Sequence, residues 1–165
     1  MTKNNTPKVT VVMGSSSDMP VVEKTISTLK QFDVEVDVMV CSAHRTPDIA
    51  ADFARNAREN GIDVIIAAAG KAAHLPGVLA AFTTLPVIGL PIKSSLMDGL
   101  DSLLSIVQMP SGVPVATVAV NGAENAAILA VQMMSLKYDA LADKLAEFKE
   151  DMKEKVIESN KSIQK

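Results

Sequence analysis

The sequence predicts an α/β fold of three layers, a central parallel β-sheet with helices on both faces and a long helix at the C-terminus. Three observations carry that expectation. Short β-branched runs alternate with amphipathic stretches as far as Val120. The run 64–69, VIIAAA, is apolar at every position, as a parallel strand buried on both faces is. From Glu124 onward apolar residues recur every three or four positions, the period of an amphipathic helix.

The elements follow in order. Residues 9–13 form a β-branched run ended by Gly14, a buried strand. Ser17 or Asp18 then caps a helix with Pro20 in its first turn, and Val21, Val22, Ile26 and Leu29 give it an apolar face. Residues 34–40 alternate apolar side chains with Glu35 and Asp37, the pattern of a strand near a sheet edge. Thr46-Pro47-Asp48 starts a second helix, which runs to about Asn60 and ends at Gly61. Residues 64–69, 87–90 and 113–120 supply the third, fourth and fifth strands. The C-terminal helix runs from about 124 to about 159, with Met134, Tyr138, Leu141, Leu145, Phe148, Met152 and Val156 on one stripe. That stripe either packs on its own sheet or, in its far half, outruns the sheet and covers a second subunit.

Composition narrows the function. At 165 residues the chain fits one domain, read as 8–165 after a flexible, polar segment 1–7. A net charge of −3 and 3% aromatic residues disfavour a nucleic-acid partner. No apolar run is long enough to cross a bilayer, and the polar N-terminus lacks a signal-peptide core. The single cysteine excludes an internal disulfide. The expectation is a cytoplasmic enzyme or binding protein without a membrane partner.

Three polar runs follow three of the strands, and ligands bind outside the carboxyl ends of the strands of an open α/β sheet. Gly14-Ser15-Ser16-Ser17-Asp18 leads into a helix whose free N–H groups favour an anion, with serine hydroxyls as further donors. Asp18 suits sugar hydroxyls better than an anion. The run matches neither a dinucleotide-binding glycine pattern nor a Walker loop, and it also reads as an ordinary capped turn. In Ser42-Ala43-His44-Arg45-Thr46-Pro47, Arg45 stands at the positive end of a helix dipole, a conflict that a bound phosphate or carboxylate resolves. His44 there is suited to moving protons both ways near neutral pH, or it caps a turn beside a surface arginine. In 69–77 the small residues around Gly70 let backbone lie against a flat ring, Lys71 can pair with an anion, and His74 is a functional or a structural imidazole. The residues around the two histidines are not read as a metal-ligand set, so no metal site is expected. Cys41 reads as buried and inert, and no Gly-x-Ser-x-Gly elbow is present. Gathered on one rim, these groups suffice to bind a phosphorylated small molecule and move a proton on it.

Together the loops resemble the class I N5-carboxyaminoimidazole ribonucleotide mutases of purine biosynthesis. The likeness covers about 8–138 and rests on four runs in order: MGSSSD at 13–18, SAHRTP at 42–47, AAHLPG at 72–77 and DSLLSIVQMP at 101–110. It implies a flavodoxin-like fold, a ribonucleotide substrate, no metal, ATP or organic cofactor, and a homo-oligomer, an octamer, with the C-terminal helix reaching across subunits. By match to the family loops, Ser15, Ser17 and Arg45 hold phosphate or carboxylate oxygens, Asp18 the ribose hydroxyls, and His44 is the general acid and base. Ser42, Gly70 and Lys71 line the reacting end, and His74 positions. Two places depart from the family pattern. Ala68-Ala69-Gly70-Lys71 replaces Gly-Ala-Gly-Gly, and Ser16 stands where a basic residue is usual, which makes Lys71 the candidate replacement cation. Two other functions compete: a carboxylase of the same ribonucleotide using free CO2, and a catalytically silent nucleotide-binding protein on this fold. The related CO2-using enzymes tend to have lysine where Arg45 stands and lack the AAHLP run, and a silent binder has no need of a titrating imidazole.

Overall fold

The computed structural model describes residues 6–164. Of the flexible segment expected at 1–7, residues 1–5 lie outside the described residues, while the Pro7 carbonyl already accepts the Glu35 N–H at 2.9 Å. Five parallel strands, β1 (Lys8–Met13), β2 (Glu35–Val40), β3 (Val64–Gly70), β4 (Val87–Ile92) and β5 (Ala116–Thr117), lie in the order β2-β1-β3-β4-β5. This is the flavodoxin-like order, in which the winding direction reverses between β1 and β3.

The period-2 alternation of the strands decides what each face buries. Val9, Val11 and Met13 of β1, with Val64, Ile66, Ala68, Ile88 and Leu90, face α1 (Met19–Gln31), α5 (Ala123–Ser135) and the start of α6 (Asp139–Ile163). Val12, Ile65, Ala67 and Val87 face α2 (Pro47–Asn56), α3 (Leu75–Phe82) and α4 (Leu100–Val107). α4 approaches β4 so closely that a Cβ on Gly89 would sit 2.3 Å from Ile106 Cγ2. Glycine at 89 is what lets helix and sheet meet there.

Several local expectations change. The first helix is preceded by a 3-10 turn at Ser16–Asp18, capped by Ser15, whose Oγ accepts the Ser17 N–H. Asp18 occupies the N-cap of α1 without spending its carboxylate on the cap. Gly61 does end the second helical segment in the left-handed region, with Ile62 N–H on the Ala57 carbonyl and Gly61 N–H on that of Arg58. The regular α-helix nevertheless stops at Asn56, and 57–61 form a looser final turn. The fifth strand is two residues, not eight. Pro91 of β4 accepts from Asn121 N–H on that side but has no N–H to return, so the ladder cannot continue past it. The C-terminal pattern beginning at 124 is two helices. The long one starts at Asp139, because the chain bends at 136–138, where Lys137 Nζ and Tyr138 Oη reach Asp63 at 2.7 and 3.0 Å. Asp63 also accepts the Lys8 N–H, so it ties the α5–α6 corner to the bottom of β1.

Leu141 and Leu145 of α6 are buried and Phe148 stacks edge-on against Phe32, 5.6 Å between centroids. Beyond that point the stripe has nothing beneath it: Met152 is 42%, Val156 70% and Ile157 43% exposed. Among the described residues, no helix is long and apolar enough to cross a membrane.

Candidate active site

The carboxyl ends of β1, β2, β3 and β4 open into one cavity of about 640 Å³, within the range of small-molecule sites. It lies at the β1/β3 reversal, where flavodoxin-like sheets bind ligands. Every candidate residue from the sequence lines it: Ser15, Ser17, Asp18, Ser42, His44, Arg45, Gly70, Lys71 and His74. The fold also brings in Ile92, Lys93 and Ser94 from the end of β4. Those three were not singled out from the sequence, although the polar run after an apolar strand was the same signal that marked the other loops.

The β1 loop offers hydroxyls and one acid. Ser17 Oγ lies 2.8 Å from Ser15 Oγ and 3.4 Å from Asp18 Oδ1. Asp18 is buried, and that burial raises its carboxyl above the ordinary value, with the Ser17 hydroxyl offsetting the shift only in part. A buried carboxylate with few partners is a strong acceptor for hydroxyl donors.

The β2 loop is a closed turn. Thr46 Oγ1 accepts the Ser42 N–H at 2.9 Å and donates to the Ser42 carbonyl at 3.0 Å. Ser42 Oγ accepts from Arg45 N and Nε, and Arg45 Nη2 donates to the Gly14 carbonyl at 3.0 Å. The dipole conflict expected at Arg45 is therefore met partly within the protein. The guanidinium is pinned to the Gly14 carbonyl of the β1 loop, with its remaining N–H groups free for an anion. Cys41 beneath it is buried.

The β3 loop completes the site. His74 occupies the N-cap of α3, and its Nδ1 is 2.8 Å from Nε2 of His44, the ring centroids 4.9 Å apart. The partner of His74 is thus the other imidazole rather than a backbone carbonyl. In this pair one nitrogen donates and the other accepts, so each ring fixes the tautomer its neighbour can hold. Lys71 sits in the left-handed region at φ 57°, which costs a residue with a side chain about 1 kcal/mol or more. Ser16 does not line the cavity, although its neighbours Ser15 and Ser17 do, and Lys71 lines it from the β3 loop. Among the described residues, no group of three or more His, Cys, Asp or Glu gathers into a metal-binding cluster.

The cavity thus gathers hydroxyls, a pinned guanidinium, a buried acid and two bonded imidazoles, groups able to hold a phosphorylated, hydroxyl-bearing small molecule and to move a proton. The sequence matches the AIR carboxylase family over residues 8–155, and the chain belongs to that family. It is 57% identical over 153 residues to an N5-carboxyaminoimidazole ribonucleotide mutase of Pyrococcus abyssi, covering 93% of this chain and 88% of that protein. It is 52% identical to a protein of the same name from Thermotoga maritima, covering 96% and 92%. The crystal structure of Treponema denticola PurE superposes with a TM-score of 0.86 at 32% identity, covering 96% of this chain and 99% of that one.

Proposed function

We propose that this protein moves the carboxylate of N5-carboxyaminoimidazole ribonucleotide from the exocyclic nitrogen to ring carbon C4, giving 4-carboxy-5-aminoimidazole ribonucleotide in purine biosynthesis. The observation that carries this reading is the His44–His74 pair, 2.8 Å apart, in the wall of a cavity of about 640 Å³.

The reaction needs a proton delivered and then recovered. His44 gives a proton to the carbamate nitrogen. The N–C bond breaks, its electron pair stays on nitrogen, and CO2 is released beside 5-aminoimidazole ribonucleotide. C4 attacks the trapped CO2, and the proton left on C4 returns to His44, so no net proton is consumed. His74 holds the His44 ring and its tautomer between the two steps. Ser15, Ser17 and the free face of Arg45 take the phosphate, and Asp18 accepts from the ribose hydroxyls. Ser42 and Gly70 enclose the CO2, with Lys71 in the same wall. The subunit is one domain over 8–165, assembled in the cytoplasm as a homo-octamer. The bare distal stripe of α6 supports an assembly of subunits, since large apolar side chains left in water each cost about 1.5–3 kcal/mol.

The test is direct. Incubation with N5-carboxyaminoimidazole ribonucleotide should yield the C4-carboxylated product without added nucleotide triphosphate. Decay to the decarboxylated ribonucleotide alone would overturn the proposal.

A further inference from the structure

The cavity holds three cations, and they differ in how they are held. Arg45 is bonded to the Gly14 carbonyl, on the side of the site that carries Ser15 and Ser17. Lys93 is paired with Asp98 at 3.0 Å, an exposed carboxylate that competes with a ligand for its charge. Lys71 is exposed and makes no ion pair or hydrogen bond with any described residue. Its backbone is held at φ 57°, a conformation that disfavours any residue with a side chain. Non-glycine residues in such conformations cluster at sites where function fixes them. Lys71 and Arg45 come from different loops of the cavity. Arg45 belongs to the β2 loop and reaches over β1, whereas Lys71 follows the last residue of β3, three residues before His74.

The proposed substrate has two separated anionic groups, a phosphate monoester and a carboxylate on the imidazole. The site has two separated cations with free donors. The guanidinium and the serine hydroxyls match the phosphate, whose oxygens accept several N–H and O–H bonds at once. The reacting carboxylate must lie beside the imidazole pair, and Lys71, on the same β3 loop as His74, carries an ammonium unpaired among the described residues. We infer that Lys71 is a specificity-determining residue that holds the migrating carboxylate, so that the site prefers the carboxylated ribonucleotides over the decarboxylated one. This rests on the mutase reading above and adds to it the group that Lys71 recognises.

Calorimetric titration of the full-length protein with 4-carboxy-5-aminoimidazole ribonucleotide and with 5-aminoimidazole ribonucleotide tests it. Lys71→Gln should weaken the first about tenfold, the lower range for a charge-assisted bond at an exposed site, and leave the second within about twofold. Lys71→Arg should keep most of the preference. Lys71→Gly relieves the left-handed backbone and removes the charge, so it should show the same split as Lys71→Gln while folding at least as well. Equal losses for the two ligands would assign Lys71 to the phosphate and overturn the inference, as would no loss for either. A parent protein that binds both ribonucleotides and turns over, yet shows no split on substitution, overturns the role of Lys71 alone. A parent that binds neither overturns the mutase reading itself.

Discussion

His44 and Asp18 answer to different physics, and their variants should separate. His44→Asn keeps a polar side chain near His74 but cannot carry a proton. Turnover should fall by roughly 10²–10⁴-fold or more, since one group serves both proton transfers, while ribonucleotide affinity is largely kept. Steady-state kinetics beside calorimetry would show this, and a loss of only about tenfold would remove His44 from the chemistry. Asp18 is buried with its carboxyl raised, so the folded protein holds the Asp18 proton more tightly than the unfolded chain does. The sign follows. As pH rises through the folded-state value, ionised Asp18 in its buried site subtracts stability, and below the ordinary carboxylate range that penalty disappears. Asp18→Asn should therefore raise the thermal midpoint at neutral pH relative to the parent, with the difference vanishing in acid, while ribonucleotide binding weakens. An unchanged midpoint at neutral pH would contradict the burial argument. At this scale the site was legible in the sequence as residue types at strand ends. What was not legible was how they pair: nothing in the spacing of His44 and His74 says that the two rings bond each other, or that Ser42 and Gly14 pin Arg45.

Element boundaries were legible where local chemistry sets them and lost where a distant contact does. Gly61 terminates its helical segment because a left-handed residue is required at that point, and the sequence carries that signal in one letter. The break between α5 and α6 has no such letter. Met134, Tyr138 and Leu141 keep the helical spacing across it, and the bend is stabilised by Asp63, 74 and 75 residues away from its partners along the chain. β5 is bounded by prolines: Pro114 within 113–120 has no N–H to give before it, and Pro91 on the neighbouring strand has none to return after it. α3 and α4 lie inside runs that motif content drew to the chemistry, and their apolar faces went unread. In Gly89→Ala the added carbon meets Ile106 and Val115, and α4 must move off β4. Overpacking of this kind costs about 1–3 kcal/mol, seen as a lowered midpoint in urea with an unchanged slope. A wild-type midpoint would mean that α4 sits farther from the sheet.

For the whole molecule, the order β2-β1-β3-β4-β5 gathers four loops from separate parts of the chain into one cavity, so the site exists only when the sheet is complete. The same sheet leaves the end of α6 uncovered. Truncation after Ala142 would remove Leu145 and Phe148 from the core and mix folding with assembly. Truncation after Asp151 removes only the exposed half of the stripe. It should leave the subunit folded and shift light scattering toward smaller species, whereas a full-length monomer would remove the case for assembly. The central claim is that the carboxylate leaves nitrogen and reaches C4 without escaping the cavity. The most direct measurement uses N5-carboxyaminoimidazole ribonucleotide labelled with ¹³C in the carbamate, incubated in unlabelled bicarbonate. The label should be retained in the C4 carboxylate throughout a single turnover. Product carrying the unlabelled carbon of the medium would mean that CO2 is taken from solution, and the protein would then be a carboxylase rather than a mutase.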